Sequence, residues 1–139
     1  MSGLLVYGSY GYTGTLIAEA ATERGLDPVL AGRERRTLES QAARLDCAFE
    51  VVSLDQPKVL EMVLEDATAV LNCAGPFSRT WEPMVEACLR TDTHYLDITG
   101  ELTVFEAIHE RGEQATDAGV MLLPGVGFDV VPTDCLAAH

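Results

Sequence analysis

Six short apolar runs, separated by stretches of helical periodicity, restrict this chain to a narrow class of folds. The runs are LLVY (Leu4 to Tyr7), PVLA (Pro28 to Ala31), AFEVV (Ala48 to Val52), AVLN (Ala69 to Asn72), HYLD (His94 to Asp97) and VMLL (Val120 to Leu123). Each is short enough for a strand, and near-continuous apolar character marks a strand covered on both faces. Strands that alternate with helices and join by right-handed crossovers predict an α/β architecture, a doubly wound parallel sheet of about six strands. The expected strand order is 3-2-1-4-5-6.

The intervening helices carry their own boundaries. The first presents Leu16, Ile17, Ala20 and Ala21 on one face and stops at Gly25, a residue suited to a left-handed cap. The second, Glu34 to Arg44, has a thin stripe of Leu38, Ala42 and Leu45. Asp55 is placed to cap a third helix with Pro57 in its first turn and Val59, Leu60, Val63 and Leu64 inward. Thr80 is placed to cap a fourth, with Met84, Val85, Cys88 and Leu89 inward. TVFE, with Thr103 and Glu106 at capping-box spacing, opens a fifth that buries Val104, Phe105, Ile108 and Ala115 and ends at Gly119.

Composition then narrows the function. At 139 residues and 47% hydrophobic, the chain can fill one core. Twenty-two acidic against nine basic residues give a net charge of −13, which repels nucleic acid and anionic membranes. The longest uncharged apolar stretch, GVMLLPGVGF, is broken by Pro124 and too short to span a bilayer, so no membrane span and a cytoplasmic location are expected. Cys47, Cys73, Cys88 and Cys135 form no C-x-x-C and share no metal-ligand spacing with His94, His109 or His139, so reduced thiols and no metal are expected.

The segment GSYGYTG, Gly8 to Gly14, follows the first strand and opens the first helix, the setting in which a glycine-rich turn binds a pyrophosphate. Gly8 permits the tight turn, Gly11 lets the backbone approach phosphate, and Gly14 lets the helix pack close to the strand, as in a Rossmann-type domain. Ser9, Tyr10, Tyr12 and Thr13 then lie at the helix start, where hydroxyls or amides can meet phosphate oxygens. The competing reading is a plain strand-to-helix turn.

The end of the second strand discriminates between cofactors. An NAD site offers Asp or Glu there, about 20 residues beyond the glycines. This chain instead reads PVLAGRERR, which puts three of its nine cations within four residues: Arg33, Arg35 and Arg36. A guanidinium matches a 2′-phosphate in charge and geometry, so Arg33 points to NADP(H). Its competing reading is a solvated first helix turn. Asp55 after the third strand is placed near adenine or serves as a helix cap, and Cys73, Ala74, Gly75 and Pro76 after the fourth lie beside the ribose and nicotinamide. Tyr95, Asp97, Glu101 and Asp129 fall near the presumed catalytic edge. Of these, Tyr95 and Asp97 are the candidate proton donors, with strand alternation and support of neighbouring backbone as alternatives.

YGSYGYTG, LAGR, LNCAGPF, EAC, THYLDITGE and GFDVVPTD, in this order and spacing, resemble the NADP-binding domain of the saccharopine dehydrogenase-like family, most closely its branch with trans-acting enoyl reductases. The resemblance runs along essentially the whole chain. It implies an NADP(H)-dependent oxidoreductase whose second, α+β domain binds a small-molecule or acyl substrate and often mediates homodimer contacts. The family pattern usually has a small residue such as Ala at Ser9 or Tyr10, a Gly near Trp81 and a Gly at Asp92, and often a Ser at Val130, so the chain departs from it there.

By this reading residues 1–125 form the cofactor domain and 126–139 begin the connection to a substrate domain. The chain is then a fragment that folds alone but shows no turnover. Two alternatives remain, a non-catalytic NADP-binding regulatory or scaffold module and an extended short-chain reductase or epimerase. Against the latter stands the missing Tyr-x-x-x-Lys pair, since the only lysine is Lys58.

Overall fold

A computed structural model describes residues 2–139. Its six strands are β1 (Ser2–Tyr7), β2 (Val29–Gly32), β3 (Phe49–Val51), β4 (Ala67–Asn72), β5 (His94–Asp97) and β6 (Leu122–Leu123). They form one parallel sheet in the order β3-β2-β1-β4-β5-β6. The expected order is therefore the observed one. Seven helices accompany the strands: α1 (Tyr12–Glu23), α2 (Arg35–Leu45), α3 (Pro57–Leu64), α4 (Phe77–Thr91), α5 (Leu102–His109), α6 (Gly112–Ala118) and α7 (Val131–Ala138).

Two apolar layers sandwich the sheet. On one side Leu5, Tyr7, Val70 and Tyr95 meet Leu60 and Leu64 of α3, Met84, Val85 and Cys88 of α4, and Val104 and Ile108 of α5. On the other, Leu30 meets Ala18 of α1 with Leu38 and Ala42 of α2. Full burial of each large aliphatic side chain stabilises by about 1.5–3 kcal/mol, so the thin stripe on α2 is sufficient because Leu38 is completely buried.

Where boundaries differ from expectation, a hydrogen bond explains the difference. Gly25 does end α1, with φ +75° and with the amides of Gly25 and Leu26 donating to Thr22 and Ala21 carbonyls. Asp55 does not cap α3; that position is Gln56, whose side chain makes no cap bond. Thr80 lies inside α4, which starts three residues earlier at Phe77, because the Thr80 hydroxyl is spent on the Ala74 carbonyl at 2.6 Å. The Thr103 capping box is displaced too. Glu101 is the N-cap of α5, held there by its amide donating to Thr99 Oγ1. The expected fifth helix is two helices: the Arg111 amide bonds Ile108 O at i−3, and the ladder restarts from Arg111 O. Strand six begins late because the Val120 amide closes α6 on Ala115 O, while the Met121 amide donates to His94 Nδ1.

Candidate functional site

The strand register levels the carboxyl ends that matter. Tyr7 aligns with Ala31 on one side and with Asn72 on the other, and Asn72 aligns with Asp97. Connections leave β1 toward β2 but return to β4 on its other side, which opens a crevice at this edge. The resulting cleft of about 540 Å³ is lined by Gly8, Tyr10 and Gly11, by Gly32 and Arg33, and by Cys73, Ala74, Gly75, Pro76 and Arg79, among others.

The glycine turn is sterically specified. Gly8 has φ +74°, its amide donates to Ala31 O at 2.8 Å, and a Cβ there would come within 3.0 Å of Ala74. A Cβ on Gly14 would run into the Gly8 carbonyl and lie 2.9 Å from Ser9 Cα, so the first turn of α1 can approach β1 only with glycine. The Gly11 amide closes back on Gly8 O, but among the described residues the amides of Tyr12, Thr13 and Gly14 have no hydrogen-bond acceptor. Those three donors, with the positive end of the helix dipole, leave the α1 N-terminus without an internal acceptor.

The side chains of this turn do other work. Ser9 is completely buried; its hydroxyl donates to Gln41 Oε1 at 2.8 Å, and Gln41 Nε2 donates to Ser9 O at 2.7 Å. The pair ties the glycine turn to α2 and turns the Ser9 side chain into the fold. Tyr10 does line the cleft, but its ring covers Gly32 and its hydroxyl accepts from the amides of Arg33 and Glu34 at 3.1 and 3.3 Å. It therefore braces the turn that carries Arg33. Tyr12, 87% exposed, and Thr13, also exposed, lie outside the cleft lining with their side chains toward solvent.

Arg33 stands at the β2 end of the cleft, exposed, and forms no ion pair among the described residues. Arg35 is instead paired with Glu39 at 3.5 Å, and Arg36 does not line the cleft. Burial pushes the Tyr7 phenol up to about 12, an effect that the positive field of Arg33 partly opposes. Asp55 reaches the cleft as an exposed carboxylate beside Ser53 and Leu54.

The β4 side is built on a buried polar network. Asn72 Nδ2 donates to Thr80 Oγ1 at 3.2 Å and to the Tyr95 hydroxyl at 3.4 Å, while its Oδ1 accepts from the Ala74 amide. Tyr95 donates to Asp97 Oδ2 at 2.7 Å, and Asp97 Oδ1 accepts from the amides of Thr99 and Gly125 at 3.0 and 2.8 Å. Both side chains are fully buried and neither lines the cleft, so their hydrogen bonds run within the fold. Asp97 holds the loops after β5 and β6. Burial, reinforced by the Asp97 charge, pushes the Tyr95 phenol far above its ordinary value, so it keeps its proton.

Cys73 does line the cleft, with its thiol pushed up to about 12 by burial first and by Asp97 second. It is no ready nucleophile. Glu101 carries its carboxylate to the start of α4, accepting from the amides of Phe77 and Ser78 at 2.9 and 3.3 Å. Trp81 turns away from the cleft, packing on the core under the guanidinium of Arg111 at 5.9 Å. Sequence reasoning missed Tyr7, Ser53, Leu54, Arg79 and Thr80 as lining residues. Arg79 had a legible signal, being a second cation close after a sheet strand in an acidic chain.

The glycine turn, its open amides and the unpaired arginine at the neighbouring strand end suit a dinucleotide carrying a 2′-phosphate. Residues 4–123 match the family model described as saccharopine dehydrogenase NADP binding domain. The chain belongs to this family.

Among its relatives are the human saccharopine dehydrogenase-like oxidoreductase, 31% identical over 94% of this chain and 35% of the relative, and the Mycobacterium leprae trans-acting enoyl reductase, 37% identical over 94% of this chain and 33% of the relative. The chain thus spans about a third of the length of these curated relatives. Its fold resembles that of saccharopine dehydrogenase (L-Glu forming) from Saccharomyces cerevisiae, with a TM-score of 0.74 at 16% identity over 93% of this chain and 28% of that one. It also resembles the leucoanthocyanidin reductase–NADPH complex from Vitis vinifera, with a TM-score of 0.64 at 13% identity over 86% of this chain and 47% of that one.

The saccharopine dehydrogenase-like chain is thereby an NADP-binding domain of an oxidoreductase family, and NADP(H) is its cofactor. The residues present fit that group on three counts: the unpartnered amides of Tyr12 to Gly14, the cradle that a Cβ at Gly8 or Gly14 would fill, and the unpaired Arg33. Among the described residues, no helix is long and apolar enough to cross a membrane, and no group of three or more His, Cys, Asp or Glu could hold a metal.

Proposed function

We propose that these residues form the cofactor half of an NADP(H)-dependent oxidoreductase acting on a small-molecule or acyl substrate, residues 1–125 binding the dinucleotide and 126–139 leading into a substrate domain. The observation that carries the reading is Arg33, unpaired and placed by Tyr10 at the β2 end of the cleft. When bound, the cofactor would supply hydride transfer. The chain's own residues bind and orient it: the Tyr12, Thr13 and Gly14 amides at the pyrophosphate, Arg33 at the 2′-phosphate, Asp55 beside adenine, and Cys73 to Pro76 along the opposite wall. The buried Tyr95 and Asp97 hold the adjacent loops and move no proton.

The test is the Arg33→Ala variant. A charge-assisted hydrogen bond of about 1.5–3 kcal/mol, discounted for an exposed guanidinium to roughly 1–2, corresponds to a loss of about five- to thirtyfold in NADP+ affinity. Calorimetric titration of both cofactors into wild type and variant is expected to show that loss with NAD+ affinity unchanged. Equal affinity of the wild type for NADP+ and NAD+ would overturn the assignment of Arg33.

A further inference from the structure

A second unpaired arginine faces the same cleft. Among the described residues, Arg35, Arg44, Arg90 and Arg111 are held in ion pairs, and the Arg24 guanidinium donates to Ala20 O. The remaining cations are Arg33, Arg36, Arg79 and Lys58, and of these only Arg33 and Arg79 line the cleft. In a chain with 22 carboxylates an exposed guanidinium has many candidate partners. Arg79 nonetheless stays clear of Glu101, whose two carboxylate oxygens are taken by the Phe77 and Ser78 amides of the same helix turn. Its position is also electrostatically adverse. It occupies the first turn of α4, where the helix dipole favours negative charge and disfavours a cation.

The sheet order separates the two arginines. Arg33 follows β2 and Arg79 follows β4 into α4, on opposite sides of β1, and neighbouring strands lie about 4.8 Å apart, so roughly 10 Å of strand spacing separates the two. Between them sits the glycine turn with its open amides. A dinucleotide with its 2′-phosphate at Arg33 crosses α1's N-terminus and carries its nicotinamide-side phosphate toward the β4 wall. We propose that Arg79 is a second phosphate clamp, binding the nicotinamide-side phosphate of the pyrophosphate and acting on NADP(H) and NAD(H) alike. This assignment rests on the cofactor reading above, but it assigns Arg79 a role separable from that of Arg33, in affinity and not in the choice between cofactors.

Calorimetric titration of NADP+, NAD+ and 2′,5′-ADP into wild type, Arg79→Gln and Arg79→Lys tests it, with thermal unfolding confirming that each variant folds. 2′,5′-ADP carries the 2′-phosphate and only the adenosine-side 5′-phosphate. Arg79→Gln is expected to weaken NADP+ and NAD+ by the same factor, about five- to tenfold after discounting for exposure, and to leave 2′,5′-ADP unchanged. Arg79→Lys is expected to recover part of the loss, since a point charge survives without the planar fork. Unchanged affinity for both dinucleotides in Arg79→Gln would overturn the clamp and leave the Arg33 reading intact. A loss confined to NADP+ and 2′,5′-ADP would overturn it as a second 2′-phosphate contact. A wild type that binds none of the three probes would overturn both readings.

Discussion

Two helix N-termini meet the same edge of the sheet and handle their orphan amides in opposite ways. At α1 the Tyr12, Thr13 and Gly14 amides have no acceptor among the described residues, and the turn before them is stripped to glycine at each close approach. At α4 the Phe77 and Ser78 amides are already taken by the Glu101 carboxylate. Both ends carry the same dipole, so an N-terminus alone does not make an anion site. What distinguishes them is whether the fold supplies the anion itself. The α1 end is left for a phosphate, and the α4 end is closed by a side chain 24 residues away that also opens α5.

The largest effect is expected at Gly14. Gly14→Ala sets a Cβ against the Gly8 carbonyl and Ser9 Cα, contacts only a backbone shift can relieve. That shift is expected to weaken NADP+ binding by about a hundredfold, equivalent to roughly 2.7 kcal/mol, and to destabilise the domain by about 1–3 kcal/mol. Calorimetry together with thermal unfolding measures both. An unchanged Kd would mean that the α1 amides are not the pyrophosphate site.

Glu101→Ala attacks the other end and is expected to act in the reverse proportion. Removing the acceptor of two amides and a charge at a helix start costs about 1–2 kcal/mol of stability, read as a lower urea midpoint at constant slope. Glu101→Gln, which retains an oxygen acceptor, is expected to lose less. In both variants cofactor affinity should change far less than in Gly14→Ala; a comparable loss of affinity would place Glu101 in the binding machinery.

The smallest effect sharpens the wall between the two ends. Burial pushes Cys73 and Cys88 from the ordinary 9.0 up to about 12, and Tyr7 from 10.0 up to about 12. The fold thus favours the neutral forms. Their contribution to stability is fully present below about pH 9 and declines as pH rises toward 12, because the unfolded chain releases these protons first. Denaturation midpoints should fall progressively above pH 9. At pH 8 a thiol reagent should label the exposed Cys135 well before Cys73 or Cys88. Equal labelling rates would show that the β4 wall opens more readily than its packing indicates.

The parts of this protein legible from sequence are those with a local or periodic signal. Six apolar runs set the strands, their alternation with helices set the topology, and the spacing of Gly8, Gly11 and Gly14 after the first strand marked the turn, with Gly8 at positive φ as that turn requires. Arg33 was legible because the second strand ends without an acid. Residue types whose role depends on a remote partner were not. Thr80 and Asp55 looked like caps, yet one hydroxyl bonds Ala74 O and the other side chain leaves its helix uncapped.

Ser9 and Tyr10 are adjacent in the glycine turn, but a bond to Gln41, 32 residues away, turns one inward, and the other braces Arg33 and Glu34. Tyr95 and Asp97 stand at a strand end where an active group is expected, and the tertiary structure turns them into internal supports for Thr99 and Gly125. The backbone follows from local signals, since periodicity and glycine sterics act over a few residues. Which polar groups stay open to a ligand depends on long-range packing. That is a matter of hydrogen-bond satisfaction, settled by whichever buried partner the packing brings within about 3 Å.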